Sequence, residues 1–325
     1  MAPKSVEIEI CARVVTVSNP DKVFFSARQE TKLDLVNYYV ALGDCAVNGV
    51  RDRPTVLKRY PDGAEGEFFF QKRVPERRPS WLRTAKVRFP SGRYADELCP
   101  TDLAHVVWAV NLGAIGLDPW PVRQGDLDHP DELRVDLDPQ PGVPFATVRS
   151  VALAVDEVLT EIGITGWPKT SGSRGIHVYV PIEPSVGFDE LRSAALALGR
   201  EVERRMPDMV TTAWWKRDRG EKVFVDYNQN ARDRTVASAY SVRATPDARV
   251  SFPLRWPEVA DVEPDRFNIA TVPELVSRQG DAWAGMEDRR FDLSALLEMA
   301  QRDRAQGIPD APMPPRFSKP PFPRP

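Results

Sequence analysis

Apolar residues recur along this chain at two different periods, and the changes of period mark its elements. A loose alternation rich in valine and isoleucine over residues 6–17 predicts a strand or hairpin. Strands are also predicted at 56–60 and 67–73, on either side of Pro61-Asp62-Gly63. Proline presets one backbone angle of that turn and glycine permits the next. Residues 133–138, 176–180 and 223–227 form three further short apolar runs. The helical period appears at 33–42 and at 103–112, where Thr101-Asp102 precedes Val106, Val107, Trp108 and Val110. It returns at 145–164 through Val148, Val151, Val155, Val158, Leu159 and Ile162, and at 188–206 through Leu191, Ala195, Leu198 and Val202. A last helix is expected around 292–302 with Asp292 as its N-cap, after a closing stretch at 267–273. His105, inside an apolar helix, reads as a packing residue.

Polar positions inside this pattern carry the candidate chemistry. In the strand at 133–138, Val135 and Leu137 point to one face while Asp136 and Asp138 project together from the other. Pro139 ends the strand and leaves the pair where a ligand can approach. A divalent cation would neutralise both carboxylates; the plain alternative is a polar face turned to water. The stretch Ser171-Gly172-Ser173-Arg174-Gly175-Ile176-His177 is a glycine-rich turn running into a strand, with Ile176, Val178 and Val180 inward and His177 and Tyr179 opposite. Small residues let backbone amides approach a phosphate, and Arg174 and His177 add donors. Asp226 closes a third short strand. Two carboxylates on one strand and a third on another suit two-cation phosphoryl transfer.

Composition narrows the remaining classes. A chain of 325 residues with 42% hydrophobic and 28% charged content can bury a substantial core, and one unit of two lobes is expected. Cys11, Cys45 and Cys99 are odd in number and lack C-x-x-C spacing, so neither a disulfide framework nor zinc is indicated. No segment approaches the ~20 apolar residues of a membrane span, and a cytoplasmic protein is expected. The net charge of -3 does not mark a nucleic-acid binder. Residues 72–93, however, hold eight Lys or Arg against the single acid Glu76, interleaved with Trp81 and Phe89, which points to a nucleic-acid backbone. Of Phe68, Phe69 and Phe70, the outer two share one strand face and Phe69 takes the other, so a ring is available for base stacking; packing on both faces is the alternative. Asn19, Lys22 and Lys32 read from the residues alone as a capped helix start with solvated lysines. The loop 214–220 reads equally as an anchored turn or a nucleic-acid contact.

Asp-x-Asp at Asp136 and Asp138, Ser-Gly-x-Arg-Gly-x-His at 171–177 and a hydrophobic strand ending in Asp226 together resemble the archaeo-eukaryotic primase superfamily. The likeness is in particular to the polymerase domain of bacterial DNA ligase D proteins and their stand-alone primase-polymerase relatives, and it runs over about residues 14–306. It implies an α+β fold, with an RRM-like mixed or antiparallel sheet and flanking helices as the catalytic lobe and an α/β N-terminal lobe. Residues 1–306 would form one catalytic domain, with 1–130 as the DNA-contacting lobe, 131–306 as the catalytic lobe with its closing helices, and 307–325 as a Pro-rich tail.

The implied activity is template-directed nucleotidyl transfer. A repair polymerase or primase-polymerase would extend a 3′-hydroxyl with NTPs or dNTPs on gapped or broken DNA, accepting ribonucleotides readily. The resemblance assigns two Mg²⁺ or Mn²⁺ ions to Asp136, Asp138 and Asp226. It assigns the nucleotide to Lys58, Ser171, Gly172, Arg174, His177, Gln229 and Arg243. A downstream 5′-phosphate would meet Asn19, Lys22 and Lys32, and the template strand Phe69 and Phe70. Relatives often carry a histidine just before the Pro-Trp segment; Asp118 occupies that neighbourhood, so that role is not carried over. With no ligase or nuclease segment after residue 325, a stand-alone monomer is expected, meeting a DNA ligase and a Ku-type end-binding protein in trans. The rival readings are a metal-dependent phosphodiesterase or nuclease, which would shorten a strand, and an inactive nucleic-acid-binding module.

Overall fold

The computed structural model describes residues 4–89 and 92–313. The Pro90-Ser91 step of the basic stretch and residues 314–325 of the expected tail lie outside the described residues.

The chain opens with the expected hairpin, Ser5–Ile10 against Arg13–Ser18, in antiparallel register. The helix Lys32–Leu42 starts on a reciprocal cap: the Asp34 backbone N–H donates to Thr31 Oγ1 at 3.2 Å, and the Thr31 N–H donates to the Asp34 carboxylate at 2.7 Å. Strand Thr55–Arg59 pairs with Phe69–Gln71 on one side and Ala114–Pro119 on the other. Its first residue also meets Leu98 of Tyr94–Leu98, which pairs with Thr84–Arg88, and every pairing in this sheet is antiparallel. Asp102 caps the helix Leu103–Asn111 by accepting from the Ala104 N–H at 3.0 Å. His105 is fully buried; its Nδ1 donates to Asp102 at 2.9 Å and its Nε2 accepts from the Arg83 N–H at 3.1 Å. It is the packing residue that its helix suggested.

The second sheet places Glu132–Pro139 at its centre. Strand order is Trp167–Thr170, Ile176–Pro181, Glu132–Pro139, Val223–Val225, Val210–Thr211; all pairs are antiparallel except the last, which is parallel. The helices Phe145–Glu161 and Phe188–Arg205 pack on each other and on the central strand. Strand, helix, two strands, helix, strand, with the first strand inside, is the RRM-like arrangement. Val135 and Leu137 are buried with these helices in one continuous core.

Three details depart from the sequence pattern. Every side chain of Ile176–Pro181 is buried, on both faces. The second face is covered by later chain: the Tyr179 ring lies 5.1 Å from that of Trp283, and Lys169 bridges to Ser251. The last helix is Ser294–Ala305 with Leu293, not Asp292, in the cap position, although the Asp292 carboxylate still accepts from the Ser294 N–H at 2.7 Å. Beyond it the chain does not run free, because the Pro309, Ala311 and Pro312 carbonyls accept from Arg200 and Arg192 on the helix Phe188–Arg205.

Candidate active site

The three acids converge because their strands are neighbours. Leu137 pairs with Val225 and Asp138 with Phe224 in antiparallel register, so Asp226 falls opposite Asp136 on the central strand. Its backbone N–H donates to the Asp136 carbonyl at 2.8 Å. Alternation turns Asp136 and Asp138 away from the helices, and Asp138 is exposed at the strand end. Burial pushes the Asp136 carboxyl up to about 6, with Lys169 and Arg243 opposing. The Asp138 carboxyl is raised by burial and then by Asp136 and Asp226, and that of Asp226 by burial and then by Asp136. Burial is the first cause in all three, and acid neighbours add to it at Asp138 and Asp226; a hard divalent cation would relieve the cost of burying these carboxylates as charged groups.

The carboxylates are not a finished cage. Among the described residues no three His, Cys, Asp or Glu side chains already converge as cation ligands. Asp226 is held by its own loop: Oδ1 accepts from the Asn228 N–H at 3.1 Å and Oδ2 from Gln229 Nε2 at 2.8 Å. Gln229 therefore sits on an acid and not in the cleft. The hard oxygen donors fit a divalent cation such as Mg²⁺ or Mn²⁺.

The Ser171 to His177 turn lies alongside, and glycine is required in it twice. A Cβ at Gly175 would stand 2.4 Å from the Leu137 carbonyl oxygen, so the turn could not close on the acid-bearing strand. At Gly172, with φ +69°, a Cβ would stand 2.5 Å from Arg243 Cγ. Ser171 Oγ accepts from the Ser173 and Gly175 N–H groups at 3.1 and 3.0 Å, shaping the turn from within. Arg174 is exposed and near enough to Asp138 to offset part of its charge. His177 pairs across the ladder with Asp136, and its Nε2 is 3.3 Å from Asp136 Oδ1. Its other nitrogen, Nδ1, is 2.8 Å from Lys169 Nζ, so the ring faces an acid and a lysine instead of open space.

Beside the turn is a cleft of about 170 Å³ lined by Lys58, Tyr60, Asp118, Ser173, Arg243 and Thr245. Lys58 Nζ stands 4.2 Å from the centre of the Phe68 ring, 5.4 Å from that of Tyr60 and 5.9 Å from that of Phe70. Phe69 takes the opposite face with the Arg59 guanidinium 5.0 Å from its centre, and all three phenylalanines are exposed. Asp118 is buried; desolvation raises its carboxyl while Arg243 and Lys58 pull it down.

A separate cluster gathers Asn19, Lys22 and Lys32. The Lys22 N–H donates to the Asn19 carbonyl at 3.1 Å and the Lys32 N–H to the Lys22 carbonyl at 2.8 Å. Asn19 adopts φ 49° in this turn. Lys32 is not solvated as the residues alone suggested. Its Nζ is buried and donates to the Ser18 carbonyl at 2.7 Å, and burial followed by Lys22 and Arg59 lowers it to about 8. Lys22 pairs with the exposed Asp62 at 2.6 Å.

Sequence reasoning missed Lys169, which the hairpin register sets opposite His177. The usable signal was a charged residue two positions before the Ser171 turn. It also gave Asp118 no role, and the fold makes it a wall of the cleft.

The family profile described as LigD, primase-polymerase domain, matches residues 31–283 of this chain. The multifunctional non-homologous end joining protein LigD of Mycolicibacterium smegmatis is 30% identical over 275 residues, covering 84% of this chain and 36% of that protein. That of Pseudomonas aeruginosa is 30% identical over 286 residues, covering 87% and 34%. The bifunctional protein LigD of Bacillus subtilis is 29% identical over 288 residues, covering 87% and 46%. The chain thus spans a third to a half of the length of these curated relatives. Among solved structures, the polymerase domain from Mycobacterium tuberculosis ligase D in complex with DNA superposes with a TM-score of 0.80 at 30% identity, over 85% of this chain and 99% of that one. No helix among the described residues is long and apolar enough to cross a membrane.

Proposed function

The chain belongs to the LigD primase-polymerase domain family, and on that premise we propose that it is a template-directed DNA repair polymerase acting in end joining, which extends a 3′-hydroxyl with nucleoside triphosphates at gaps or breaks. The observation that carries this reading is the meeting of Asp136, Asp138 and Asp226 on neighbouring strands, beside a turn and a cleft furnished with cations.

Asp136 and Asp138, joined by Asp226, would hold two Mg²⁺ or Mn²⁺ ions, which would lower the pKa of the attacking hydroxyl and offset charge on the leaving phosphate. Arg243 and Lys58 line the cleft where they pair with the triphosphate, and a guanidinium does so bidentately. The Gly172 to Gly175 backbone approaches the same group, with Arg174 at its exposed edge. Phe69 and Phe70 meet template bases, and Asn19, Lys22 and Lys32 seat a 5′-phosphate across the gap. The partners are a gapped or broken duplex, a DNA ligase and a Ku-type end-binding protein. The relatives found are end-joining proteins and a polymerase domain, and nothing in them favours a nuclease.

Extension of a labelled primer on a 5′-phosphorylated gapped duplex, with NTPs and dNTPs and with Mg²⁺ and Mn²⁺, tests the proposal. Lengthening that disappears in Asp136→Ala and Asp138→Ala is expected. Shortening of the strand, or extension that survives both substitutions, overturns it.

A further inference from the structure

Lys169 is a buried group beside the acids that the proposed chemistry leaves unused. Its side chain is fully buried in the strand Trp167–Thr170, and among the described residues no carboxylate pairs with its ammonium. A buried lysine without such a partner is costly, so its contacts need a reason. There are two hydrogen bonds: Nζ to Ser251 Oγ at 2.5 Å and Nζ to His177 Nδ1 at 2.8 Å.

The donor inventory fixes the direction of both. Ser251 Oγ spends its only hydrogen on the Thr170 carbonyl at 2.8 Å, so it accepts from Lys169. His177 Nε2 faces Asp136 Oδ1 at 3.3 Å; a bare nitrogen there would set its lone pair against a carboxylate, so Nε2 carries the hydrogen. In the neutral ring Nδ1 is then the acceptor, and Lys169 supplies the donor. Ammonium or free amine, Nζ has hydrogens for both acceptors. Ser251 is itself clamped, its N–H donating to the Ser241 carbonyl at 2.9 Å and its carbonyl accepting from the Tyr240 N–H at 2.8 Å.

We propose that Lys169 is a positioning residue for Asp136: anchored on Ser251, it fixes His177 as the Nε2–H tautomer, which turns a positive N–H edge toward the Asp136 carboxylate. Ser251, Lys169, His177 and Asp136 form one relay from the 250–252 segment, across the hairpin Trp167–Thr170 and Ile176–Pro181, to the acid on the central strand. The relay gives His177 a role distinct from gripping a triphosphate. Its catalytic consequence rests on the proposed cation-binding role of Asp136; the tautomer does not.

The chain has three histidines, so ¹⁵N spectra of the imidazoles can be assigned by substituting each in turn. In the metal-free protein, His177 should show an unprotonated Nδ1 and a protonated Nε2. Lys169→Met should spread that pattern over both tautomers and weaken Mn²⁺ binding, read by electron paramagnetic resonance, by about tenfold, the lower end for loss of an outer partner that orients a ligand. A folded Lys169→Met protein with unchanged nitrogen shifts and unchanged Mn²⁺ affinity overturns the proposal. Should that variant fail to fold, Ser251→Ala decides, since it keeps the lysine but removes its anchor: a shifted His177 pattern supports the relay and an unshifted one sinks it. Unchanged Mn²⁺ affinity in Asp136→Asn would defeat the metal reading instead, leaving the nitrogen shifts to judge Lys169.

Discussion

Lys32 offers a test in which stability and recognition move in opposite directions. Its ammonium falls from the ordinary 10.5 to about 8 through burial and then through Lys22 and Arg59. At about 1.4 kcal/mol per tenfold change in proton affinity, keeping that charge at pH 7 costs the free protein about 3 kcal/mol. The folded pKa lies below the unfolded one, so the cost is complete below pH 8 and is relieved as pH rises toward 10.5. Lys32→Met removes this cost but leaves the Ser18 carbonyl without the hydrogen bond it accepts from Nζ, a loss of about 1 to 3 kcal/mol. The expected net effect at pH 7 is a protein as stable as the parent or more stable by up to about 2 kcal/mol. The same substitution removes a charge-assisted contact to the proposed 5′-phosphate, worth about 1.5 to 3 kcal/mol, so the preference for a phosphorylated over a hydroxyl gap should fall at least about tenfold. Urea unfolding at pH 7 and fluorescence anisotropy with the two duplexes measure both. An undiminished phosphate preference, or a stability loss beyond about 2 kcal/mol, refutes the reasoning.

Asp136 makes a second test. Its folded carboxyl, raised to about 6, binds a proton more readily than the unfolded one, so its favourable contribution is present below pH 4 and lost as pH rises through 6. Between pH 5 and 7.5 the metal-free Asp136→Asn protein should lose less stability than the parent, by about 1.4 kcal/mol, and Mn²⁺ should raise the parent's melting temperature only; equal pH slopes would count against it. Gly175→Ala drives a methyl against the Leu137 carbonyl, and denaturant unfolding should show a loss of about 1 to 3 kcal/mol together with loss of extension. Phe70→Ala should weaken single-stranded template binding by about 1 to 3 kcal/mol, measured by anisotropy, without moving the melting temperature, because its ring is exposed.

The sequence by itself determined the long helices and the strands with strong apolar periods, because their caps and turns carry the right residues: Asp102 before its helix, Pro61-Asp62-Gly63 between strands; the strands Thr84–Arg88, Tyr94–Leu98, Ala114–Pro119 and Trp167–Thr170, whose pattern is weak, appear only in the fold. It also placed Asp136 and Asp138 on one face, by strict alternation whatever lies around them. Tertiary structure alone decided what surrounds those residues. Strand order brought Asp226 to Asp136, the hairpin register set Lys169 against His177, and later chain covered the second face of Ile176–Pro181, turning an expected open sheet face into a cleft. Lys32 shows the limit most plainly: a lysine at a helix start reads as solvated, and only the packing of the Ser18 turn over it makes it a buried cation. Periodicity is local and acts along the chain. Burial and the electrostatic neighbours that shift a titrating group belong to contacts between segments far apart in it.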